Sequence, residues 1–189
     1  MSYHKENLKE RLAEIAWEIC DAGSWQQVNM RLVAKKAGVS TTAFYRHFSD
    51  KNDLKAEVMR RGFNLLFEGM KDLHGNDGFA SYGAHYIRFG LEYPHIYDLI
   101  FGDTDVDMTL YPELETLSKA SFDGLVEGVK AFMPNQSQKE ILLKAYNVWA
   151  SVHGLVGILR RSEWEGSKTE TLEWIEKNIE EYLKMTTFG

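Results

Sequence analysis

Between Asn29 and Lys51 five cationic side chains, Arg31, Lys35, Lys36, Arg46 and Lys51, face a single carboxylate, Asp50, a local charge of +4 in a chain whose net charge is −6. Lysines and arginines gathered in so short a span are what phosphate binding requires. A second set is aromatic with polar tips. Tyr82, Tyr86, Phe89 and Tyr93 recur at four, three and four residues, and Tyr146, Trp149 and His153 share one helical face. A core that needed only volume would take Leu and Phe, whereas tyrosines and a histidine each need a hydrogen-bond partner, as the wall of a ligand pocket also does. Catalytic sets are poor by comparison. Glu92-Tyr-Pro-His95 has the Glu-x-x-His spacing of a carboxylate-bridged di-iron site, but Pro94 breaks the shared helical face and no second copy exists. His85, His95 and His153 lack the local spacing of zinc ligands. There is no His-Glu-x-x-His, glycine-rich phosphate loop or nucleophile elbow. The single cysteine, Cys20, stands among apolar neighbours and reads as a small inert hydrophobe. No metal, no cofactor and no enzymatic activity are expected.

The elements that must position these residues are helical. Apolar residues recur at three and four positions nearly throughout, and no segment alternates with period two between turn signals, so an all-α fold of about nine helices is predicted. Leu8, Leu12, Ile15, Ala16 and Ile19 mark the first helix, with Gly23 at its C-terminal stop in a position suited to positive φ. Asn29 caps a second helix with Val33, Ala34 and Ala37 on its apolar face, and Gly38 ends it. Ser40 caps a third, over Thr41 to about Phe48, and Ser49 or Asp50 caps a fourth that runs on to a break at Gly75-Asn76-Asp77-Gly78. Five further segments are read at about 78–93, 95–101, 113–133, 136–162 and 168–185.

A short helix, a Gly38-Val39-Ser40 turn and a second short helix make a helix-turn-helix, whose second helix has the size to enter a major groove. Phe44 and Phe48, four residues apart, are read as core that holds this reader in place. Here the sequence resembles the TetR family of transcriptional regulators, through Ala34…Ala37-Gly38-Val39-Ser40…Phe44-Tyr45-Arg46-His47-Phe48…Lys51…Leu54. The close resemblance covers about residues 8–58. It implies that Arg31, Tyr45, His47 and Lys51 contact phosphates and that Thr41, Thr42 and Arg46 lie against bases or the adjacent backbone, with Ser40 also among the DNA-binding residues. Thr41 and Thr42 depart from the family's usual residues, which bears on which base pairs are read. Farther on, Trp149-Ala-Ser-Val-His153-Gly154 resembles the Trp-x-x-x-His-Gly signature of one subgroup of TetR-like ligand-binding domains, and Tyr93-Pro94-His95-Ile-Tyr97…Phe101 its connector.

Charge divides along the same line: residues 1–55 carry +2 and residues 56–189 carry −8. The expected organisation is a DNA-binding domain over 1–50 and a ligand-binding and dimerisation domain over 51–189. With 189 residues, 44% hydrophobic, 26% charged and only 3 prolines, the chain is rich enough to bury a core and is not largely disordered. The longest uncharged stretch, Ala145 to Leu159, is short of a membrane span, the first ten residues hold no apolar leader region, and one cysteine suits a reducing cytoplasm, so a cytoplasmic protein without membrane contact is expected. The partners expected are palindromic operator DNA, a second copy of the chain and a small-molecule effector. Val152, Leu155, Ile175 and Ile179 are expected in the dimer interface, with Gly154 and Gly157 allowing close approach. Tyr86, Phe89, Tyr93, Phe101, Phe122, Trp149 and His153 are candidates for a pocket that takes a largely apolar effector. Repression is expected, since occupying a promoter needs no further contact surface. The rival reading is an all-α enzyme or small-molecule-binding bundle that does not bind DNA, and salt-dependent retention on its own upstream DNA separates the two.

Overall fold

A computed structural model describes the backbone of residues 3–70, 75–102, 105–164 and 169–187, and side chains within 8–70, 80–102, 105–161 and 169–186. Among these residues there are ten α-helices and no strand: α1 Tyr3–Asp21, α2 Met30–Lys36, α3 Thr41–Phe44, α4 Lys51–Glu68, α5 Gly75–Glu92, α6 Pro94–Phe101, α7 Pro112–Phe132, α8 Gln138–Trp164, α9 Glu170–Lys177 and α10 Ile179–Thr187. Short 3₁₀ turns at Trp25–Gln27 and Met108–Leu110 complete them. The helices gather into two compact units, one of residues 1–65 and 93–118, the other of 66–92 and 119–189. This division is discontinuous in sequence, whereas the expected one cut the chain once, at residue 50. α6 joins the first unit because it packs on α1. α4 lends most of its length to the same unit, and Gly62 explains how α4 comes so close to α6: a Cβ there would meet Ile96 and Ile100 methyls at 3.0 Å.

In the first unit Leu12, Ala16, Val33, Phe44, Phe48, Leu54, Val58 and Ile96 are buried together with Cys20, whose thiol is pushed up to about 12 by burial and then by Asp21 and Asp98. Burial of this kind disfavours the thiolate that nucleophilic attack or metal ligation needs. In the second unit α5 packs against α8 and α10. Leu125, Val129, Ile141, Ala145 and Val148 form a core cluster between α7 and α8, with Phe122 packed on its margin. α8 has the length and composition to cross a membrane, but its three- and four-residue apolar face of Ile141, Ala145, Val148, Val152, Leu155 and Leu159 is buried within this unit.

Several boundaries differ from the sequence expectations. Gly23 does not adopt positive φ; among the described residues only Gly38 does, at 71°. The α3 helix closes at Phe44, after which tighter bonds from Arg46 to Ala43 and from His47 to Phe44 carry the chain to Phe48. Gly75 to Gly78 form the first turn of α5 and are not a break; the chain between α4 and α5 lies outside the described residues. The segment 168–185 is two helices. Asn178 turns its side-chain amide onto the Trp174 carbonyl at 2.8 Å, its backbone leaves helical geometry, and α10 starts afresh at Ile179.

Candidate functional site

The helix-turn-helix is built from local hydrogen bonds that the sequence prescribes. The Asn29 side chain accepts from the Arg31 backbone N–H at 2.8 Å and starts α2. At its other end Gly38 donates to the Lys35 carbonyl and Val39 to the Ala34 carbonyl, the paired bonds of a Schellman stop, and the left-handed glycine makes the reversal possible. Ser40 follows at once, its Oγ accepting from the Ala43 N–H at 3.1 Å. One of its two lone pairs serves the cap, which leaves the hydroxyl proton and a second lone pair for an outside partner. Asp50 and Asp53 then close the start of α4 reciprocally: Asp50 Oδ1 accepts from the Asp53 N–H at 2.8 Å, and Asp53 Oδ2 from the Ser49 N–H at 2.9 Å.

On this frame Phe44 and Phe48 are buried with ring centroids 5.6 Å apart, as read from their spacing, and Tyr45 sets its ring edge-on to Phe44 while remaining 51% exposed. Arg31, Ser40, Thr41, Thr42 and Arg46 are exposed; His47 and Lys51 are half-buried. All eight residues therefore lie on α2, the turn, α3, the tighter turn that follows it at Tyr45 to His47, or the first residue of α4. Their electrostatic setting divides the basic residues sharply. Along α4 cations are committed to carboxylates: Lys55 to Asp105 at 2.6 Å, Arg60 to both Glu57 oxygens at 2.7 and 2.9 Å, and Arg61 to Glu57 at 3.2 Å and to Glu10. Burial works to raise the Glu57 carboxyl, but the hydrogen bonds and charges of Arg60 and Arg61 outweigh it and hold it below the ordinary glutamate value. Among the described residues no carboxylate pairs with Arg31, Lys35, Lys36, Arg46 or Lys51. Two aromatic contacts escaped the sequence reading, Lys51 Nζ 5.3 Å from the Trp25 ring centroid and Lys9 Nζ 5.6 Å from that of Phe48. Nothing in helical periodicity could find them, because each joins different elements.

The aromatic candidates separate. Within the second unit the Tyr86 hydroxyl and His153 Nδ1 are 3.1 Å apart, and rings follow from His153 to Trp149 at 6.1 Å, Phe122 at 5.9 Å and Tyr146 at 4.7 Å. Phe89 is buried in the same unit. Tyr93 and Phe101 belong to the first unit, where Tyr93 meets Trp17 at 6.1 Å and Phe101 meets Phe63 at 5.8 Å and Tyr97 at 5.0 Å. Pro94 is the reason: it starts α6 and sends the chain from one unit into the other. It also puts Glu92 and His95 on different helices. His85, on the same helix as Tyr86, is held low by burial, opposed by its hydrogen bond to the Leu66 carbonyl at 3.1 Å. A cavity of about 450 Å³ lies elsewhere, in the first unit between α4 and the start of α7, lined by Lys9, Asp53, Arg60, Tyr111 and Glu113 among others. No sequence signal marked it, since its walls come from three distant segments. Among the described residues no group of three or more His, Cys, Asp or Glu is placed to hold a metal ion.

The four residues expected at a dimer interface are corrected by their burial. Val152, Leu155, Ile175 and Ile179 are packed inside the chain, Ile179 to 1% exposure; α5 fills that side of α8 and α10, and α9, which carries Ile175, packs on α10. Side chains covered within one subunit have no area to offer another. The opposite stripe of α8 is bare: Leu143, Tyr146, Ala150, Gly154, Gly157 and Ile158 are exposed, and a Cβ built on either glycine would meet open space.

Comparison with known proteins agrees with this architecture. Residues 14–58 match the model of bacterial regulatory proteins of the tetR family, and residues 79–181 match that of the tetracyclin repressor-like C-terminal domain. HTH-type transcriptional regulators of Staphylococcus aureus strains USA300 and N315 are each 34% identical over 76 residues, 38% of this chain and 40% of theirs. The chain thus matches about two fifths of the length of these relatives. Among solved structures, a protein of unknown function from Rhodococcus sp. RHA1 superposes with a TM-score of 0.71 at 17% identity, covering 93% of this chain and 92% of that one. A transcriptional regulator from Rhodococcus sp. Rha1 does so with a TM-score of 0.65 at 21% identity, covering 94% of each. The C-terminal match is to the repressor-like domain as a whole and assigns no Trp-x-x-x-His-Gly subgroup. With both parts of its length matched, the second alone over more than half of the chain, this protein belongs to the TetR family of bacterial regulators.

Proposed function

We propose that the protein is a cytoplasmic transcriptional repressor that binds palindromic operator DNA as a homodimer and is released by a small, largely apolar effector. One observation carries the DNA-binding part: among the described residues no carboxylate pairs with Arg31, Lys35, Lys36, Arg46 or Lys51, which flank a capped α3 with Thr41 and Thr42 exposed, while the basic residues farther along α4 are paired. Uncommitted cations release counterions when they meet phosphates, and an exposed short helix between them has the dimensions to read a major groove. Arg31, Tyr45, His47 and Lys51 make phosphate contacts, Ser40 donates its hydroxyl proton to the backbone, and Thr41, Thr42 and Arg46 face bases.

Specific binding needs more contacts than one such module provides, so two copies act together. The bare stripe of α8, with Tyr146 at 55% and Ile158 at 54% exposure and two glycines that permit close approach, supports pairing through α8. Effector binding rests on the ring series Tyr86, His153, Trp149 and Phe122, where one hydrogen-bonded polar pair stands at the end of an aromatic wall. Phe89, buried in the same unit, remains a candidate for it. The test is retention of labelled DNA from upstream of the protein's own coding sequence, titrated against salt and against an unrelated duplex. The reading requires preferential binding with a steep salt dependence and half-site centres about 34–36 Å apart, or a multiple of that. Equal, salt-insensitive retention of both duplexes rejects it.

A further inference from the structure

Trp25 is the first residue of the 3₁₀ turn between α1 and α2, and Lys51 is the first residue of α4. The two meet although 26 positions separate them in sequence, with the ammonium 5.3 Å from the indole centroid, inside the range of a cation–π contact. The platform is fixed. Gln27 donates to the Ser24 carbonyl and Val28 to the Trp25 carbonyl, both at 3.1 Å, and Val28 is buried in the core. The side chain above it is long and would otherwise spread over several rotamers, among carboxylates of its own neighbourhood. Asp50 and Asp53 stand at the same helix start, and Asp105 is close enough for the charge of Lys51 to help lower its carboxyl, behind the larger effect of Lys55. Each of these already has another donor: the Asp53 N–H on Asp50, Ser49 on Asp53, and Lys55 on Asp105.

We propose that Trp25 is a positioning residue for DNA binding, holding the Lys51 ammonium at the head of α4 by its ring face so that the charge is fixed in place yet left for a phosphate. The choice of an aromatic partner is what matters chemically. A carboxylate at the same distance would fix the lysine equally well but would neutralise it and occupy its N–H donors. A ring quadrupole attracts the cation with no net charge of its own. Ordering the side chain in advance also removes part of the entropy lost on binding. This inference rests on the reading of Lys51 as a phosphate contact and adds the residue through which that contact is prepared.

The experiment is a double-mutant cycle on the full-length protein with Trp25→Leu, Lys51→Ala and the pair, each titrated with the upstream DNA and with a labelled duplex of arbitrary sequence over a series of salt concentrations. Trp25→Leu should weaken binding to both duplexes by about 2- to 5-fold and move the salt slope toward that of Lys51→Ala. In the Lys51→Ala background the same change should cost nothing further. Trp25→Tyr and Trp25→Phe should retain most of the affinity, in that order, and they decide the question if Trp25→Leu does not fold. An equal loss in both backgrounds means that Trp25 serves folding alone, and no loss with Trp25→Leu means that it positions nothing; either overturns the proposal. If the wild type binds DNA and Lys51→Ala matches it, the proposal fails while the regulator reading stands. If the wild type binds neither duplex, both fail.

Discussion

Among individual side chains, the proposed function divides those that face bases from those that hold phosphates. Tyr45→Ala should weaken binding to every sequence and flatten the salt dependence, because a lost phosphate contact carries no base information. Thr41→Ala or Thr42→Ala should instead change the preferred sequence while leaving affinity for arbitrary DNA nearly as it was. Equal losses on operator and arbitrary DNA for all three would remove α3 from the role of base reader. The proposed effector wall is tested at the same scale. Trp149 and His153 are on one ring series with Phe122, and Trp149 is partly exposed, so its fluorescence should respond to hydrophobic candidates. Trp149→Ala or His153→Ala should blunt that response and leave DNA binding intact; loss of folding without any ligand would make this face plain core.

At the scale of the elements, the caps govern how well the reader is presented. The Ser40 Oγ satisfies the Ala43 N–H in a helix of four residues, too short to survive on its own hydrogen bonds. Ser40→Ala should cost about 1 kcal/mol of stability, seen as a lower urea midpoint, with a parallel loss of operator affinity. The Gly38 stop is equally local: φ of 71° strains any residue with a Cβ, and Gly38→Ala should destabilise by about 1 kcal/mol although nothing crowds the position. α4 carries a charge cluster with a pH signature. Since Arg60 and Arg61 hold Glu57 below the ordinary glutamate value of 4.5, its contribution is fully present above that value and fades as pH falls through the lower folded value. Glu57→Gln should therefore remove stability at neutral pH and remove less of it in acid, which urea unfolding at the two pH values measures.

For the whole molecule, the proposed dimerisation sets the buried Ile175 of α9 against the bare stripe of α8. Ile175 is buried against its own chain, so Ile175→Asp should unfold the subunit; Ile158, on the bare stripe, should tolerate Asp and yield a folded monomer that no longer binds operator. Sedimentation together with circular dichroism separates the two outcomes. An unfolded Ile158→Asp, or a folded dimer, would remove α8 from the proposed interface. Effector and operator must also act reciprocally: any ligand that lowers operator affinity is itself bound more weakly by the operator complex, by the same factor.

Local chemistry was legible in the sequence wherever one segment decides its own conformation. Asn29, Gly38 and Ser40 mark the ends of α2 and the start of α3, the spacing of Phe44 and Phe48 marks them as core, and the helical period marks the all-α class, because caps, left-handed glycines and apolar stripes act over a few residues. Longer range was a matter for the tertiary structure. Periodicity showed that Val152, Leu155, Ile175 and Ile179 face something apolar, but only the packing of α5 on α8 and α10, and of α9 on α10, decided that this partner lies in the same chain. Pro94 was read as a helix boundary, while the assignment of Tyr93 and Phe101 to a different unit from Tyr86 depended on where α6 docks. Trp25 drew no notice as a lone aromatic outside any stripe; its meeting with Lys51 exists only because folding brings the α1–α2 connector to the head of α4. A sequence fixes what each segment prefers, and contacts between distant segments are chosen by the shape into which those preferences jointly pack.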